Sequence, residues 1–177
     1  STWQGDIAID ALAFTTQVSS SPLSCNATIN AFPYQESFES GLGDWEILPS
    51  SYNIWTRKSG FTTSGGTGPT SANDGTFYMY TEASNNNYPN RTATLQSPCF
   101  DLSNENAAYF SFDYHMYGAA MGSLAVQIST DQGITWVDLW NESGNLGDVW
   151  NSTSINLSAY AGQSIRIRFF AITGTYY

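Results

Sequence analysis

The sequence contains a single histidine, His115, and this scarcity limits the chemistry open to the protein. One imidazole cannot supply the histidine clusters that hold catalytic zinc, and the chain has neither a GxSxG nucleophile motif nor a glycine-rich phosphate loop. A Ser-His-Asp triad through His115 is formally open, but its position near Asp113 on a polar strand face favours a hydrogen-bonded structural role. No pair among the 15 acidic residues stands out as a glycosidase pair. We therefore predict that the protein is not an enzyme.

Positive charge is scarce as well, with 5 Lys and Arg against 15 Asp and Glu and a formal net charge of -10. So acidic a surface repels the phosphate backbone of nucleic acids and anionic lipid headgroups. No apolar run approaches the ~20 residues that a helix needs to span a bilayer. We expect neither nucleic acid binding nor membrane insertion.

Only two cysteines occur, Cys25 and Cys99, and their wide separation fits neither a CxxC redox pair nor a zinc site. We expect one disulfide between them, with two buried thiols as the alternative. Only 11% of the residues are charged, so Ser, Thr, Asn, Gly and Tyr must form most of the surface, which is typical of secreted β proteins. An extracellular glycoprotein, secreted or on the cell surface, is therefore expected. N-x-S/T sequons begin at Asn26, Asn90, Asn141, Asn151 and Asn156.

Short alternating runs bounded by Gly, Asn, Asp and Pro recur along the chain, whereas helical periodicity is nearly absent. The candidate strands are 6–15, 45–48, 54–57, 77–81, 93–95, 108–117, 123–129, 135–140, 150–156 and 164–172. About ten strands without helical crossovers predict one all-β domain, an antiparallel jelly-roll β-sandwich.

Alternation within two strands predicts which side chains lie inside. In 109–117 the apolar even positions form the expected core face and the polar odd positions the outer face. In 164–172, Arg166 and Arg168 alternate with apolar residues, which predicts an outward stripe where carboxylates pair with the arginines. The core face predicted for 109–117 consists of Phe110, Phe112, Tyr114 and Met116.

One local motif, residues 129–136, has the form S-x-D-x-G-x-T-W and resembles the Asp-box hairpin. Asp131 is suited to accept turn N–H groups, Gly133 to adopt positive φ, and Trp136 to cover the turn. We interpret the motif as a structural staple, not as a catalytic site. Residues 59–75 form a long Gly/Ser/Thr loop of a length that is often functional.

The segment FSFDYHMYGAAMGSLAVQIS, residues 110–129, resembles the central motif of MAM domains, named after meprin, the A5 antigen and receptor phosphatase mu. Further similar segments are 32–45, 55–80, 95–103, 143–150 and 165–175, so the resemblance covers roughly Cys25 to Tyr177. It is strongest to the bacterial MAM-like modules of large secreted proteins. The resemblance implies a jelly-roll sandwich, a non-enzymatic role in adhesion between extracellular modules, and often a bound calcium.

The resemblance also implies a calcium site. Its acidic positions correspond here to Glu39, to Asp74 and, in the final strand of the family, to Asp10. Carboxylates in the loops of a β-sandwich form a hard-oxygen site of the kind that Ca²⁺ prefers. Ordinary solvated acids are the alternative, and Ala11 stands where the family usually has a second carboxylate.

The order of the segments departs from the family, because the motif of the last strand, GDIAIDALAFT, stands here at the N-terminus. We divide the chain into a displaced strand (1–16), a linker (17–24) and a MAM-like domain (25–177). Three explanations remain open: one period of a tandem array, a circular permutation in which 1–16 completes its own sandwich, and insertion of the strand into a neighbouring copy. The inserted side chains are predicted to be Ile7, Ile9, Leu12 and Phe14, with a bulge near Asp10.

These observations favour a non-catalytic extracellular structural or adhesion module whose N-terminal strand completes a neighbouring copy, in a tandem array or a filament. Its partners would be other copies of itself and, beyond those, cell-surface glycans or proteins. The alternative is a carbohydrate-binding accessory module of a secreted hydrolase or protease, in which Trp55, Tyr88 and Tyr117 form a stacking platform for sugars.

Overall fold

The structure is a computed structural model that describes residues 25–50, 55–84 and 86–175. The displaced strand predicted at 6–15 and the linker 17–24 lie outside the described residues. The described strands are β1 (Thr28–Ile29), β2 (Glu46–Ile47), β3 (Trp55–Ser59), β4 (Phe77–Thr81), β5 (Thr92–Asp101), β6 (Tyr109–His115), β7 (Ser123–Ser129), β8 (Val137–Ser143), β9 (Trp150–Asn156) and β10 (Ser164–Ile172), with a 3₁₀ turn at Ser158–Tyr160. The described residues include no helix that is long and apolar enough to cross a membrane.

The prediction of an all-β sandwich is confirmed. One layer is a sheet in the order β1-β5-β10-β7-β8, with β2 also paired to β5. The opposite layer consists of two separate antiparallel pairs, β3–β4 and β6–β9. Apolar side chains from both layers meet between them and form the core.

Strand β5 is much longer than the segment predicted at 93–95, because it is buried on both faces and therefore lacks alternation. Its register against β10 shifts between Arg166 and Arg168, opposite Ser97 and Pro98. Proline has no N–H to donate to the ladder, and the Ser97 hydroxyl instead accepts the Ile167 N–H at 2.9 Å. The β-bulge therefore lies where Pro98 interrupts the ladder between β5 and β10.

The two core clusters meet at Phe169, on β10. Its ring centroid lies 5.8 Å from that of Trp45, 6.3 Å from that of Trp55, and 5.1 Å from that of Phe112. The core face predicted for β6 is confirmed, because its even-numbered side chains pack on these clusters and Met116 is buried.

The arginines of β10 differ from the outward stripe predicted for them. Arg166 is only 6% exposed, because the Asp-box turn lies over it at Gly133. Its pairing with a carboxylate is confirmed, since it donates to Glu46 Oε1 at 2.6 Å. Arg168 instead donates to Gln127 Oε1 at 2.6 Å and lies 4.3 Å above the Trp136 ring. Burial lowers the pKa of Arg168.

The Asp-box functions as the predicted staple. The Asp131 carboxylate accepts the Thr135 N–H at 2.8 Å, the Thr135 hydroxyl at 2.6 Å and the Ser129 hydroxyl at 2.7 Å. The Trp136 indole N–H donates to the Gly133 carbonyl at 3.0 Å. Hydrogen bonds from Thr135 and Ser129 lower the pKa of Asp131 to about 2.

The predicted disulfide between Cys25 and Cys99 is confirmed, with the two Cα atoms 5.7 Å apart. It ties the beginning of the described chain to β5, where Thr28 and Ile29 of β1 pair in parallel with Cys99 and Phe100.

Candidate functional site: a cleft between β4 and β6

A cleft of about 1380 Å³ opens between β4 and β6 in the second layer. In the described part of the chain, β4 pairs only with β3 and β6 only with β9. The cleft therefore lies where a sheet of five strands would have its middle strand. Core side chains of the opposite sheet form its floor: Leu95, Phe100, Leu124, Ile165, Ile167, Phe169 and Ala171.

The edge of β4 that faces the cleft has no partner strand among the described residues. The Phe77 N–H donates to Glu39 Oε1 at 2.7 Å and so points away from β3. Because peptide groups alternate between the two edges of a strand, that of Met79 also points away from β3, into the cleft. Glu39 thus occupies the first position of this edge, and its carboxylate substitutes there for a strand carbonyl.

The edge of β6 is open in the same way. The Leu157 N–H donates to the Ala108 carbonyl at 2.8 Å, which places the even-numbered peptide groups of β6 toward β9. The odd-numbered groups, such as those of Ser111 and Asp113, therefore point into the cleft. Two open strand edges face each other across an apolar floor.

A strap, residues 60–75, crosses the outside of the cleft from the β3–β4 side. The Gly68 N–H donates to the Tyr117 carbonyl at 3.1 Å, and the Asn73 amide to Asp113 Oδ2 at 2.8 Å. The Trp150 indole N–H donates to the Ser71 carbonyl at 3.1 Å. The strap thereby joins the two strand pairs of the layer, although no ladder connects them among the described residues.

Two exposed aromatic side chains mark the mouth of the cleft at the amino end of β6. Tyr109 is 68% exposed and Phe32 is 39% exposed, and both line the cleft. Beside them, the Tyr34 ring meets the Phe100 ring edge-on at 5.4 Å.

The predicted calcium ligands have different positions. Glu39 Oε1 accepts the N–H groups of Phe77 and Thr76, which lower the pKa of the carboxyl. Gly75 has a φ of 65°, and a Cβ there would lie 2.6 Å from Glu39 Oε1, so glycine is required for this contact. Asp74 lines the cleft, whereas Asp10 lies outside the described residues. Within the described ranges, no three His, Cys, Asp or Glu residues are grouped as a metal site, and calcium binding stays a prediction.

His115 is held as a structural residue at one wall of the cleft. Its side chain is 3% exposed and its Nε2 lies 3.1 Å from Asp148 Oδ1. Its partner is thus Asp148 and not the neighbouring Asp113, whose carboxylate accepts hydrogen bonds from Ser152 and Asn73.

Trp55 does not fit the sugar-stacking platform predicted from Trp55, Tyr88 and Tyr117. Trp55 is 9% exposed and packs against Phe169 in the core, so its ring has no free face for a sugar. Tyr88 and Tyr117 are half-buried. Alternation and composition did not separate a core tryptophan from a surface one.

Three tertiary contacts could not be predicted from the sequence: the capping of β4 by Glu39, the strap hydrogen bonds, and the choice of Glu46 as the partner of Arg166. All three join residues that are distant in the chain. Glu39 and the 59–75 loop stand out in the sequence, but no local pattern indicates their hydrogen-bond partners.

The architecture defines a two-layered β-sandwich, whose second layer consists of two separate strand pairs among the described residues. The chain belongs to the MAM family, since the model of the "MAM domain, meprin/A5/mu" matches residues 37–177. The MAM domain-containing glycosylphosphatidylinositol anchor protein 2 of Mus musculus is 33% identical over 170 residues, covering 84% of this chain and 18% of the relative. Its Homo sapiens counterpart is 36% identical over 163 residues, covering 80% and 17%. The chain thus spans less than a fifth of the length of these relatives.

Among solved structures, a cleaved adhesin domain of Lys-gingipain from Porphyromonas gingivalis is similar with a TM-score of 0.48 and 16% sequence identity. The match covers 73% of this chain and 86% of that chain.

Proposed function

We propose that the protein is a non-catalytic extracellular adhesion module whose N-terminal segment, residues 1–16, inserts as a strand into the cleft of a neighbouring copy. Repetition of this contact would link copies into a tandem array or a filament, because a head-to-tail contact that does not close on itself propagates. The observation that carries the proposal is the cleft itself, with two open strand edges facing each other over an apolar floor.

The open edges of β4 and β6 are the backbone part of the argument. Unpaired strand edges are templates for another strand, and peptide recognition by strand addition uses them. A single strand between Met79 on one side and Ser111 and Asp113 on the other would form ladders with both. Each hydrogen bond so formed contributes about 1 kcal/mol.

The side chains of the N-terminal segment complement the floor. Ile7 and Ile9 lie two positions apart, as do Leu12 and Phe14, so each pair shares one strand face. Burial of four such side chains stabilises by at most about 6 to 12 kcal/mol. This gain is comparable to the free-energy cost of association, about 4 to 15 kcal/mol. The ladder hydrogen bonds therefore decide whether the affinity between copies is high.

The extracellular location and the adhesion role are supported by other observations. The two relatives described above are named as glycosylphosphatidylinositol anchor proteins. The Cys25–Cys99 disulfide is typical of proteins in an oxidising compartment. The side chain of the single histidine is 3% exposed, and its Nε2 contacts the exposed carboxylate of Asp148, an arrangement that supports a structural role.

The decisive experiment compares the assembly state of the chain with that of three variants, by light scattering after size-exclusion chromatography and by negative-stain microscopy. We expect the full chain to form elongated oligomers. Deletion of residues 1–16 and the Ile9→Asp substitution should both give monomers, because each removes apolar insertion. Ala8→Asp is the matched control, since its side chain would point outward and assembly should persist.

A full chain that is monomeric, and whose melting temperature is unchanged by Ile9→Asp, would contradict insertion of any kind. A monomer that Ile9→Asp destabilises strongly would instead indicate that the segment completes its own sandwich, and would refute the linkage of copies.

A further inference from the structure

We propose that the inserted strand runs antiparallel to both β4 and β6, with Ile7 at the carboxyl ends of these strands and Phe14 opposite Phe110, near the amino end of β6. The inference rests on the proposed strand insertion and adds the direction and register in which the strand is bound. It follows from the peptide orientations and the chirality of the chain.

The two open edges differ in which residues supply their peptide groups. On β4 these residues include Met79, whose side chain packs in the core, so the open groups belong to inward-facing residues. On β6 the inward-facing side chains are even-numbered, as Phe110 and Phe112 show, whereas the open groups are odd-numbered. The open groups of β6 therefore belong to outward-facing residues.

Chirality converts this difference into strand directions. Consider a strand of L-residues that runs upward and is viewed from the side to which one of its side chains points. The N–H and C=O of that residue then point to the right. Viewed from the core, an upward β4 has the cleft on its right. An upward β6 has β9 on its right and the cleft on its left. The two open edges face each other only if β4 and β6 run in the same direction.

One strand between two strands of the same direction can be antiparallel to both. The existing pairs of this layer, β3–β4 and β6–β9, are antiparallel, so such a strand would make the layer antiparallel throughout. An antiparallel ladder is also slightly more stable per residue than a parallel one.

The position of Cys25 agrees with this direction. Ile29, four residues after Cys25, packs on the same core cluster as Ala108, which directly precedes β6. The carboxyl end of the inserted strand and the start of the described chain thus lie at one end of the sandwich. The linker 17–24, which reaches at most about 26 Å, would not have to run back along the cleft when a copy completes itself.

A register follows from aligning apolar residues across the ladder. Phe14 opposite Phe110 and Leu12 opposite Phe112 place Ala13 beside Ser111. With one extra residue at the bulge near Asp10, Ala8 lies beside His115, about 13 Å farther along. A disulfide needs Cα atoms within about 7 Å, so Ala13 and Ala8 discriminate between the two directions.

The test uses two double-cysteine variants of the full chain, Ala13→Cys with Ser111→Cys and Ala8→Cys with Ser111→Cys. Both are oxidised with copper phenanthroline, and the products are mapped by non-reducing gels and peptide mass spectrometry. We expect the first pair to form a cross-link in most molecules and the second to form at least tenfold less. Each single-cysteine variant serves as a control, and melting under reduction verifies that every variant is folded.

Each result has one meaning. Cross-linking of the second pair and not the first would overturn the direction but retain strand insertion. Folded variants in which neither pair cross-links would overturn the proposed function together with the direction. A ladder of cross-linked species would place the strand in a neighbouring copy, whereas a cross-linked monomer would keep the direction and place the strand in its own sandwich.

Discussion

The contact between Glu46 and Arg166 offers a sharp test of what holds the main sheet together. Arg166 is 6% exposed and donates twice to the Ser97 carbonyl, at 3.1 and 3.0 Å, in addition to Glu46. Glu46 Oε1 also accepts the Gln96 amide at 2.8 Å. Replacement of Glu46 by Ala would leave a buried guanidinium without its counter-charge.

The magnitude follows from the exposure of the two partners. Loss of one partner of a fully buried ion pair costs about 3 to 5 kcal/mol. The side chain of Glu46 is 31% exposed, so water would enter after truncation and reduce the cost. We expect Glu46→Ala to destabilise by about 2 to 3 kcal/mol, which for a domain of this size lowers the melting temperature by about 4 to 12 °C.

A double-mutant cycle measured by urea unfolding tests this account. Arg166→Met keeps much of the side-chain volume and removes the buried charge, so adding Glu46→Ala to it should cost less than about 1 kcal/mol. Asp44→Ala, at an exposed carboxylate, is the control and should change stability by less than about 0.5 kcal/mol. Additive effects of Glu46→Ala and Arg166→Met would refute the coupling.

Three further predictions concern other contacts. The lowered pKa of Asp131 means that its stabilising effect is complete above about pH 4 and is lost as the pH falls toward 2; Asp131→Asn should melt earlier than the wild type at pH 6 but at the same temperature near pH 2, and a constant difference in calorimetry would contradict this. Reduction of Cys25–Cys99, which closes a separation of 74 residues, should cost about 4 kcal/mol in urea unfolding, whereas an unchanged midpoint would show that the bond is dispensable. If Glu39, Asp74 and Asp10 bind calcium, excess EDTA should lower the melting temperature of the wild type but not of Glu39→Gln; equal curves with and without EDTA would dismiss these ligands.

The cleft also has a consequence for folding. Two open strand edges above an uncovered apolar floor are a site for non-specific association. The deletion variant described above, which lacks residues 1–16, would therefore have a higher tendency to aggregate than the full chain, unless a peptide of residues 4–16 is supplied to fill the cleft.

Local patterns were sufficient for four of the strands, β6, β7, β9 and β10, and for the Asp-box turn. Alternation placed β6, β7, β9 and β10 within two residues of their observed bounds, because each buries one face more than the other or is flanked by turn residues. The Asp-box was assigned its hydrogen bonds from eight consecutive residues, since a turn of this kind is closed by its own side chains. The disulfide was predicted because only two cysteines are available.

The amino-acid sequence by itself thus determined the fold class, the family resemblance and the staple at Asp131, all of which depend on neighbours in the chain. Only the tertiary structure decided that Arg166 is buried, that Trp55 belongs to the core and that Glu39 caps β4. It also decided that β4 and β6 leave a cleft between them. These features depend on which strands lie side by side, and that pairing joins residues 18 to 120 positions apart, where local periodicity carries no information.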